Sequence, residues 1–169
     1  TFVETADTPT DVGDIRFGLS NVPATAWAYY PTDEYPEGGD VWLGAASHLG
    51  QTDYRDGTYY FHTVMHEIGH ALGLKHPHDP DGAGVTSSSD WLGVSAMSYR
   101  SYAGDGVSGA YSNDFFPTSP MLWDISAIQA LYGANYATRA GNTTYQWGNG
   151  EQIFECLWDG GGRDVIDCS

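Results

Sequence analysis

Residues 66–76, with the sequence HEIGHALGLKH, decide how the whole chain is interpreted. On an α-helix, residues four positions apart share a face and are separated by about 6 Å along the axis. His66 and His70 therefore present their imidazole rings to the same point. Gly73 can end the helix in a left-handed turn, which directs the chain back toward that point and brings His76 with it. The spacing predicts three imidazoles around one metal ion.

The ligand set indicates zinc in a reactive site. Catalytic zinc takes three protein ligands, with nitrogen donors at about 2.0–2.1 Å, and keeps a fourth position for water. Glu67 follows His66 directly and can take a proton from that water without binding the metal. The pattern predicts His66, His70 and His76 as zinc ligands and Glu67 as the general base. Histidines satisfied within an ordinary core, and a purely structural zinc site, stay open as alternatives.

The remaining histidines receive weaker predictions. His62 continues the helical row four residues before His66, but one more turn carries it about 6 Å farther from the metal. We expect His62 to be exposed or to cap the helix. His48 and His78 are expected in loops, without metal contact.

The acidic composition narrows the class of partner. Six Lys and Arg side chains stand against 22 Asp and Glu, for a formal net charge of −16. Such a charge repels nucleic acid and anionic lipid, and it favours solubility and cation binding. No apolar run approaches the roughly 18 residues that a membrane span needs. We therefore expect neither a nucleic acid nor a membrane as a partner. The length of 169 residues is enough for one hydrophobic core.

Strand and loop signals alternate along the first half of the chain. Runs of β-branched and aromatic residues between turn-forming residues predict four short strands, at residues 2–4, 14–19, 26–30 and 41–47. A composition rich in Asp, Gly and Ser predicts a loop over residues 77–89. The tail from Thr143 onward is expected to form a hairpin.

Two helices are predicted from apolar spacing. Apolar residues recur every three or four positions over residues 58–72, with Thr58 as the N-cap. A second apolar stripe covers residues 121–132, between Pro120 and Gly133. The first helix carries the metal motif, so it is expected to position the site.

The long motif resembles that of the metzincin metalloproteases. Their third histidine is followed, after a loop, by a methionine turn, and the segment 95–99, SAMSY, has Met97 at that position. Pro77 directly after His76 and the segment 119–135, SPMLWDISAIQALYGAN, are similar to the serralysins, the secreted bacterial repeats-in-toxin proteases. The resemblance spans nearly the whole chain.

The resemblance implies a fold in two parts. Residues 1–138 would form an α/β (α+β) metzincin-like catalytic domain, with a twisted mixed sheet above the cleft and the zinc helix beneath it. A lower subdomain would hold the methionine turn and the second helix. Residues 139–169 would begin a calcium-binding β-roll, reached through the hairpin. The strand and long helix that open the family's domain are missing from residues 1–30, so either a separate segment supplies them or the fold is reduced.

The resemblance also implies roles for the residues around the cleft. Tyr99 is similar to the family's tyrosine, which binds zinc in the resting enzyme and swings away to stabilise the developing oxyanion. Met97 would pass beneath the zinc. The strand VWLG resembles the edge strand that pairs with the substrate main chain. Its residues, expected to bind substrate, are Val41, Trp42, Leu43 and Gly44.

Two glycine-rich loops after the second helix resemble the calcium loops of the serralysins. Calcium prefers six to eight oxygen ligands, which carboxylates and backbone carbonyls at close spacing provide. Glycine and aspartate are also ordinary turn residues, and this second interpretation stays open. The residues that match the calcium loops are Arg139, Gly141, Thr143, Asp159, Gly161, Gly162 and Asp164.

We therefore interpret the chain as the catalytic part of a secreted, extracellular zinc endopeptidase that also binds calcium. Its partners would be protein or peptide substrates and a proteinaceous inhibitor, and the chain would be a monomer. A metal-stabilised binding module without catalysis, and a metallohydrolase for a non-peptide substrate, stay open as alternatives. Cys156 and Cys168 flank a glycine-rich turn and can meet as a disulfide in an oxidising compartment, while two free thiols agree equally well with the sequence.

Overall fold

The computed structural model describes residues 2–6, 8, 12–81, 84–107 and 111–169. The combination of helices with a sheet confirms the α/β class expected from the sequence. Within the described ranges, no helix is both long enough and apolar enough to cross a membrane. The elements, in chain order, are β1 (Phe17–Ser20), β2 (Ala26–Ala28), β3 (Val41–Gly44), α1 (Ala45–His48), α2 (Tyr59–Ala71), α3 (Leu122–Tyr132), β4 (Thr144–Gln146) and β5 (Val165–Asp167).

The first three strands form one mixed sheet, in the order β1, β3, β2. β1 runs parallel to β3, with Phe17 opposite Val41, and β2 runs antiparallel to β3, with Ala28 opposite Val41. The residues that precede β1 and β3, Arg16 and Asp40, form an ion pair at 2.7 Å. This pair connects the starts of the two parallel strands and supports their register, and the expectation of a mixed sheet is confirmed.

The central position of β3 shows that the prediction of an edge strand at residues 41–44 is wrong. Both hydrogen-bonding sides of β3 are occupied, so Val41, Trp42, Leu43 and Gly44 have no free main chain for a substrate to pair with. Gly44 does allow another backbone segment to approach closely, but that segment belongs to this chain and not to a substrate. The Gly44 N–H donates to the Thr25 carbonyl at 2.6 Å, and a Cβ at Gly44 would stand 2.8 Å from that oxygen.

The boundaries of the strands differ from those predicted. Residues 2–4 are not a strand, and residues 14–16 lead into β1 without belonging to it. Residues 45–48 form the short helix α1, in keeping with the high helix propensity of its two alanines. His48 lies in this helix rather than in a loop, and it is buried, with its Nδ1 atom 2.9 Å from the Tyr54 hydroxyl.

α2 begins and ends where its sequence signals predict. The Thr58 hydroxyl accepts the Phe61 N–H, in the first turn, at 3.3 Å. At the other end Gly73 has φ of 93°, and its N–H donates to the His70 carbonyl at 2.8 Å. The Leu74 N–H donates to the Gly69 carbonyl at 2.9 Å, which completes a Schellman turn. This turn reverses the chain directly after the helix.

α3 also agrees with its prediction. It follows the N-cap residue Met121, whose N–H donates to the buried Asp124 carboxylate at 2.8 Å. It ends at Tyr132, and Gly133 takes φ of 82°. The described part of the predicted loop over residues 77–89 contains turns but no helix or strand, and residues 82–83 lie outside the described ranges.

The C-terminal pair of strands corrects the expectation of a hairpin, because β4 and β5 run parallel. Antiparallel strands can be joined by a short turn, but parallel strands need a longer crossover, and residues 147–164 provide it. Each strand directly follows one of the two glycine-rich loops, and the Val165 N–H donates to the Thr143 carbonyl at 2.9 Å. Cys156 is half-buried and Cys168 exposed, and both are free thiols in the structure.

Candidate metal centre and its cavity

Three imidazole nitrogens converge at the C-terminal half of α2. The Nε2 atom of His76 lies 3.2 Å from Nε2 of His66 and 3.0 Å from Nε2 of His70. Nitrogens bound tetrahedrally to one zinc ion at about 2.0–2.1 Å would stand about 3.3–3.4 Å apart. The Schellman turn brings His76 to this position, so the structure brings together the three residues that the spacing singled out.

The other nitrogen of each ring is hydrogen-bonded to an oxygen. Such a bond fixes the ring's orientation and assigns the proton to Nδ1, which leaves Nε2 as a free lone pair. All three lone pairs are therefore available at the shared point. The contacts are His66 Nδ1 with Ala96 O at 2.9 Å, His70 Nδ1 with Leu74 O at 2.8 Å, and His76 Nδ1 with Asp79 Oδ2 at 2.9 Å.

Burial keeps the three rings neutral. Desolvation holds the pKa of His66 well below its ordinary value and lowers the pKa of His70 to about 4. It also lowers the pKa of His76, against the opposing effect of Asp79. Three neutral acceptors at this separation repel one another unless a cation lies between them. The donor set therefore fits zinc, for which imidazole is a common ligand.

Glu67 follows His66 on α2, and both side chains border one cavity. Glu67 is 7% exposed, and within the described residues its Oε2 atom has no hydrogen-bond partner. Desolvation raises the pKa of Glu67 to about 7. A carboxyl group with a pKa near the working pH can both accept and release a proton.

The Tyr99 ring lies over the predicted ligands. Its centroid is 4.4 Å from that of His76 and 5.5 Å from that of His66, on which it stacks. Desolvation, followed by the nearby charge of Glu67, raises the pKa of Tyr99. The phenol therefore stays protonated near neutral pH and can donate a hydrogen bond.

Met97 packs against the helix that carries the histidines. Its side chain is 2% exposed. A Cβ built on Gly69 would overlap the Met97 sulfur and stand 3.2 Å from its Cε atom. Asp124 holds the same turn in place, because it accepts the Ser95 hydroxyl and the Ala96 N–H at 2.7 Å each.

A cavity of about 220 Å³ opens beside the converging nitrogens. Glu67 and Tyr99 border it on the metal side, and His62 and Thr63 continue its wall along α2. Ala26 of β2 lines it as well. Since β2 is an outer strand of the described three-stranded sheet, the edge nearest the cavity is β2 and not β3.

Comparison with known proteins agrees with this geometry. The family model of the matrixin peptidases matches residues 16–85, which include the three histidines and Glu67. The metalloprotease AprA of Pseudomonas entomophila is 36% identical over 176 residues, covering 91% of this chain and 36% of the relative. A serralysin of Photorhabdus laumondii is 35% identical over 190 residues, covering 99% and 39%. A serralysin of Proteus mirabilis is 33% identical over 178 residues, covering 92% and 36%.

The chain belongs to the serralysin-type metzincin metalloproteases. It spans a little over a third of the length of these curated relatives. The family and the histidine triad together support zinc as the metal of this centre.

In this serralysin-type chain the third histidine, His76, lies at one end of an ionic network that the sequence did not predict. Beyond Asp79, the His78 ring has its Nε2 atom 3.9 Å from Asp79 Oδ1 and its Nδ1 atom 3.4 Å from Asp90 Oδ2. Asp90 is fully buried and accepts the Arg100 Nε–H at 3.0 Å. The only sequence feature that indicated this network is the position of Asp79, three residues after His76, because a turn brings residues at that spacing together.

The two glycine-rich loops of the serralysin-type chain lie side by side. The Thr143 N–H donates to Asp164 at 2.9 Å, and Gly161 donates to Asp159 at 2.9 Å. Arg139 has φ of 50° and lies 5.0 Å from the centroid of the Tyr145 ring. A Cβ on Gly162 would overlap the Gly141 carbonyl, so the close approach of the loops depends on that glycine. The two loops that resemble the calcium loops are therefore in contact, through Thr143 with Asp164 and through Gly141 with Gly162.

His62 is the clearest departure from the sequence interpretation. It is not exposed, since only 1% of the residue is accessible to solvent. It is not a helix cap either, because it lies inside α2, which begins at Tyr59. The Phe116 ring stacks on it at 5.1 Å. Desolvation lowers the pKa of His62 to about 4. No sequence signal indicated that residues 111–117 would cover this face of the helix.

Proposed function

We propose that this chain is the catalytic part of a secreted zinc-dependent endopeptidase, which hydrolyses peptide bonds within protein chains. The observation that carries the proposal is the convergence of three neutral imidazoles beside the buried Glu67, at the border of a cavity. A metal held there by His66, His70 and His76 keeps room for solvent and substrate. Secretion is proposed from the family and from the net charge of −16, which suits an extracellular medium.

Each group at the centre has a distinct task in the proposed hydrolysis. Bound zinc supplies Lewis-acid chemistry, which polarises the scissile carbonyl and makes water more acidic. Glu67 takes a proton from the attacking water as its oxygen adds to the carbonyl carbon. Glu67 then passes that proton to the leaving nitrogen as the C–N bond breaks. The Tyr99 hydroxyl donates a hydrogen bond to the carbonyl oxygen as negative charge develops there.

The substrate main chain is proposed to pair with β2 rather than with β3. An extended peptide can add to a free sheet edge through main-chain hydrogen bonds, with little demand on sequence. Thr25 and Ala26 belong to the cavity wall, so a peptide along β2 would pass the metal centre. This assignment replaces residues 41–44 as the substrate-binding strand.

Residues 139–169 are proposed to be a calcium-binding region that follows the catalytic part over residues 1–138. The support is the side-by-side packing of the two loops, in which Asp164 accepts the Thr143 N–H at 2.9 Å and Gly162 lies against the Gly141 carbonyl. Calcium added to the metal-free chain should raise its Tm, and Asp164→Asn should reduce that increase. An unchanged Tm would contradict calcium binding by residues 139–169.

The proposed reaction is tested by Glu67→Gln on the zinc-loaded chain. The variant should keep one zinc ion, while its rate of casein cleavage falls by about 100- to 10,000-fold. Glu34→Gln, at an exposed glutamate, is the matched control and should cleave casein like the unaltered chain. Unchanged cleavage in Glu67→Gln would contradict the mechanism.

The role of Tyr99 is separable from that of Glu67. Tyr99→Phe keeps the ring but removes the hydrogen-bond donor, so kcat should fall by about 100-fold with KM nearly unchanged. A fall in zinc affinity without a change in kcat would instead make Tyr99 a metal ligand alone.

The two rival functions give different results in a substrate panel. A metal-stabilised binding module would hold zinc but turn over no substrate. A non-peptide metallohydrolase would cleave esters or small amides and leave casein intact. The buried Glu67 carboxylate, whose Oε2 atom has no hydrogen-bond partner among the described residues, favours the endopeptidase, because a structural site needs no proton acceptor beside the metal.

A further inference from the structure

A second group of potential metal ligands lies just beyond the third histidine of the centre. His76, His78 and Asp79 each have a ligand atom within 4.8 Å of those of the other two. His76 belongs to the first centre through its Nε2 atom, and its Nδ1 atom is bonded to Asp79 Oδ2 at 2.9 Å. The His78 ring and the Asp79 Oδ1 atom are therefore the part of this group that the first centre does not use.

The gap between His78 and Asp79 has the size that a metal ion requires. His78 Nε2 lies 3.9 Å from Asp79 Oδ1. A charge-assisted N–H···O hydrogen bond spans about 2.7–2.9 Å, so the two atoms are too far apart for one. Zinc bonds to nitrogen and to carboxylate oxygen are each about 2.0–2.2 Å long. A closing movement of about 0.5 Å would bring the two atoms to the separation of ligands around a tetrahedral ion.

The other side of the His78 ring has the surroundings of a metal-binding histidine. Its Nδ1 atom lies 3.4 Å from Oδ2 of Asp90, which is fully buried. Histidine ligands almost always direct their second nitrogen to a carboxylate, a carbonyl or water, which fixes the tautomer. A proton on Nδ1 leaves the lone pair on Nε2, the atom nearer to Asp79. A lone pair and a carboxylate oxygen repel each other unless a cation lies between them.

A protonated His78 that pairs with both aspartates is the competing explanation. The contacts do not favour it, because 3.9 Å is beyond hydrogen-bonding distance on the Asp79 side. On the other side, His78 Nδ1 has no hydrogen-bond partner among the residues that the structure describes. Asp90 already has a cationic partner in Arg100, at 3.0 Å, so it does not depend on His78 for neutralisation.

The donor set selects a transition metal. Imidazole and carboxylate together suit zinc and the neighbouring first-row ions, whereas calcium takes six to eight oxygen ligands. The side chains of His78 and Asp79 are 14% and 30% exposed, so water can complete the coordination. We propose that His78 and Asp79 bind a second divalent transition-metal ion, of which zinc is the probe, beside the first centre.

The second ion should be bound more weakly than the first. It has two protein ligands instead of three, and the charge of the first ion repels it. Asp79 is shared, because Oδ2 accepts the His76 N–H while Oδ1 would bind the second ion. At one equivalent of zinc only the site formed by the three histidines should be filled, and the second site should be filled only when zinc is in excess.

Equilibrium dialysis against zinc tests the proposal on the Glu67→Gln chain, which should not digest itself. Calcium is present in excess throughout, so that the two glycine-rich loops are not left open to zinc. This chain should bind one ion tightly and another more weakly. His78→Phe, added to it, keeps a ring stacked on His76 but removes both nitrogens, so it should lose the weaker ion alone. Asp79→Asn keeps an acceptor for the His76 N–H but removes the negative charge, and it should lose the same ion.

A matched control separates this site from non-specific uptake. Asp81→Asn removes an exposed carboxylate that is bonded to Lys75, at 3.1 Å, and it should keep both ions. The thiols of Cys156 and Cys168 are present in every variant, so any zinc that they bind cancels in the comparison. Crystals of the Glu67→Gln chain grown with excess zinc should show a second anomalous peak between His78 Nε2 and Asp79 Oδ1.

Each outcome supports or overturns the second site, whether or not the chain cleaves casein. Equal zinc uptake by His78→Phe and its background would refute it, and loss of the weaker ion in Asp81→Asn would assign that ion to surface carboxylates. If His78→Phe loses both ions, Asp79→Asn decides the question. Loss of the weaker ion alone in Asp79→Asn would support the site, and any other result would overturn it.

Discussion

Met97 lies directly against Gly69, the glycine between the first two histidines of the motif. A Cβ on Gly69 would overlap the Met97 sulfur, so the missing side chain allows the methionine to pack against α2. Asp124 fixes the other side of the same turn through the Ala96 N–H at 2.7 Å. The Ala96 carbonyl in turn accepts the His66 Nδ1–H at 2.9 Å. The turn around Met97 therefore supports the metal centre by packing and by hydrogen bonding.

Gly69→Ala tests the packing contact. The added methyl group must displace a methionine that is buried in the core, and overpacking of this kind typically costs about 1–3 kcal/mol. The better helix propensity of alanine offsets up to about 1 kcal/mol of that loss. We expect a net decrease in the free energy of unfolding, measured by urea denaturation of the metal-free chain.

The control for this prediction is Gly106→Ala. A Cβ at Gly106 meets no atom within 4 Å in the described structure, so its stability should be unchanged. Equal stability of Gly69→Ala and the unaltered chain would show that Met97 does not pack tightly against the helix.

Asp79→Ala tests the support of the third histidine. The Asp79 carboxylate accepts the His76 Nδ1–H at 2.9 Å, and loss of such a partner typically weakens metal affinity by 10- to 100-fold. The measurement is the zinc Kd, obtained by competition with a chelator. Asp81→Ala is the matched control, because Asp81 is exposed and bonded to Lys75, at 3.1 Å, rather than to a zinc ligand. Identical Kd values for the two variants would rule out a role for Asp79 in orienting the ring.

Asp124 should contribute to the stability of the fold more through its hydrogen bonds than through its charge. Asp124→Ala leaves two buried backbone N–H groups without an acceptor, for which we expect a loss of about 3 kcal/mol. Asp124→Asn can keep an acceptor for both N–H groups and donate to the Ser95 hydroxyl, so it should lose less. Thermal unfolding of the two variants distinguishes these effects, with Asp56→Ala as an exposed control. A larger loss for Asn than for Ala would contradict this account.

Acidification should destabilise the metal-free chain partly through His62. Burial lowers the pKa of His62 from the ordinary 6.5 to about 4. Between these values the unfolded chain binds the extra proton, so stability is complete above about pH 6.5 and decreases as the pH falls toward 4. The whole effect amounts to about 3 kcal/mol.

The comparison for this prediction is His62→Leu, with both metal-free proteins unfolded in urea at pH 7 and at pH 4.5. The variant should lose less stability over this range than the unaltered chain, because it lacks the titrating ring. Parallel losses would show that His62 is not buried in its neutral form.

The parts of the fold that were predictable are those fixed by nearby residues. Thr58 and Gly73 determine the ends of α2, and the three converging histidines lie within eleven consecutive positions, 66–76. Helix geometry and one Schellman turn are enough to bring them together. The same local reasoning placed α3 between Pro120 and Gly133.

The features that were missed depend on residues far apart in the chain. β3 is central because residues 17–20 and 26–28 pair with its two sides. β4 and β5 can run parallel because the long segment 147–164 connects them. His62 is buried because the Phe116 ring, from a segment without helix or strand, covers it. Periodicity carries no information on such contacts.

The central claim is that His66, His70 and His76 bind one zinc ion and leave a position open for solvent. Anomalous diffraction at the zinc absorption edge, from crystals of the zinc-loaded chain, tests it most directly. We predict one peak, about 2.0–2.1 Å from each of the three Nε2 atoms, with no fourth protein ligand. A peak enclosed by four protein groups, or located away from these rings, would contradict the account.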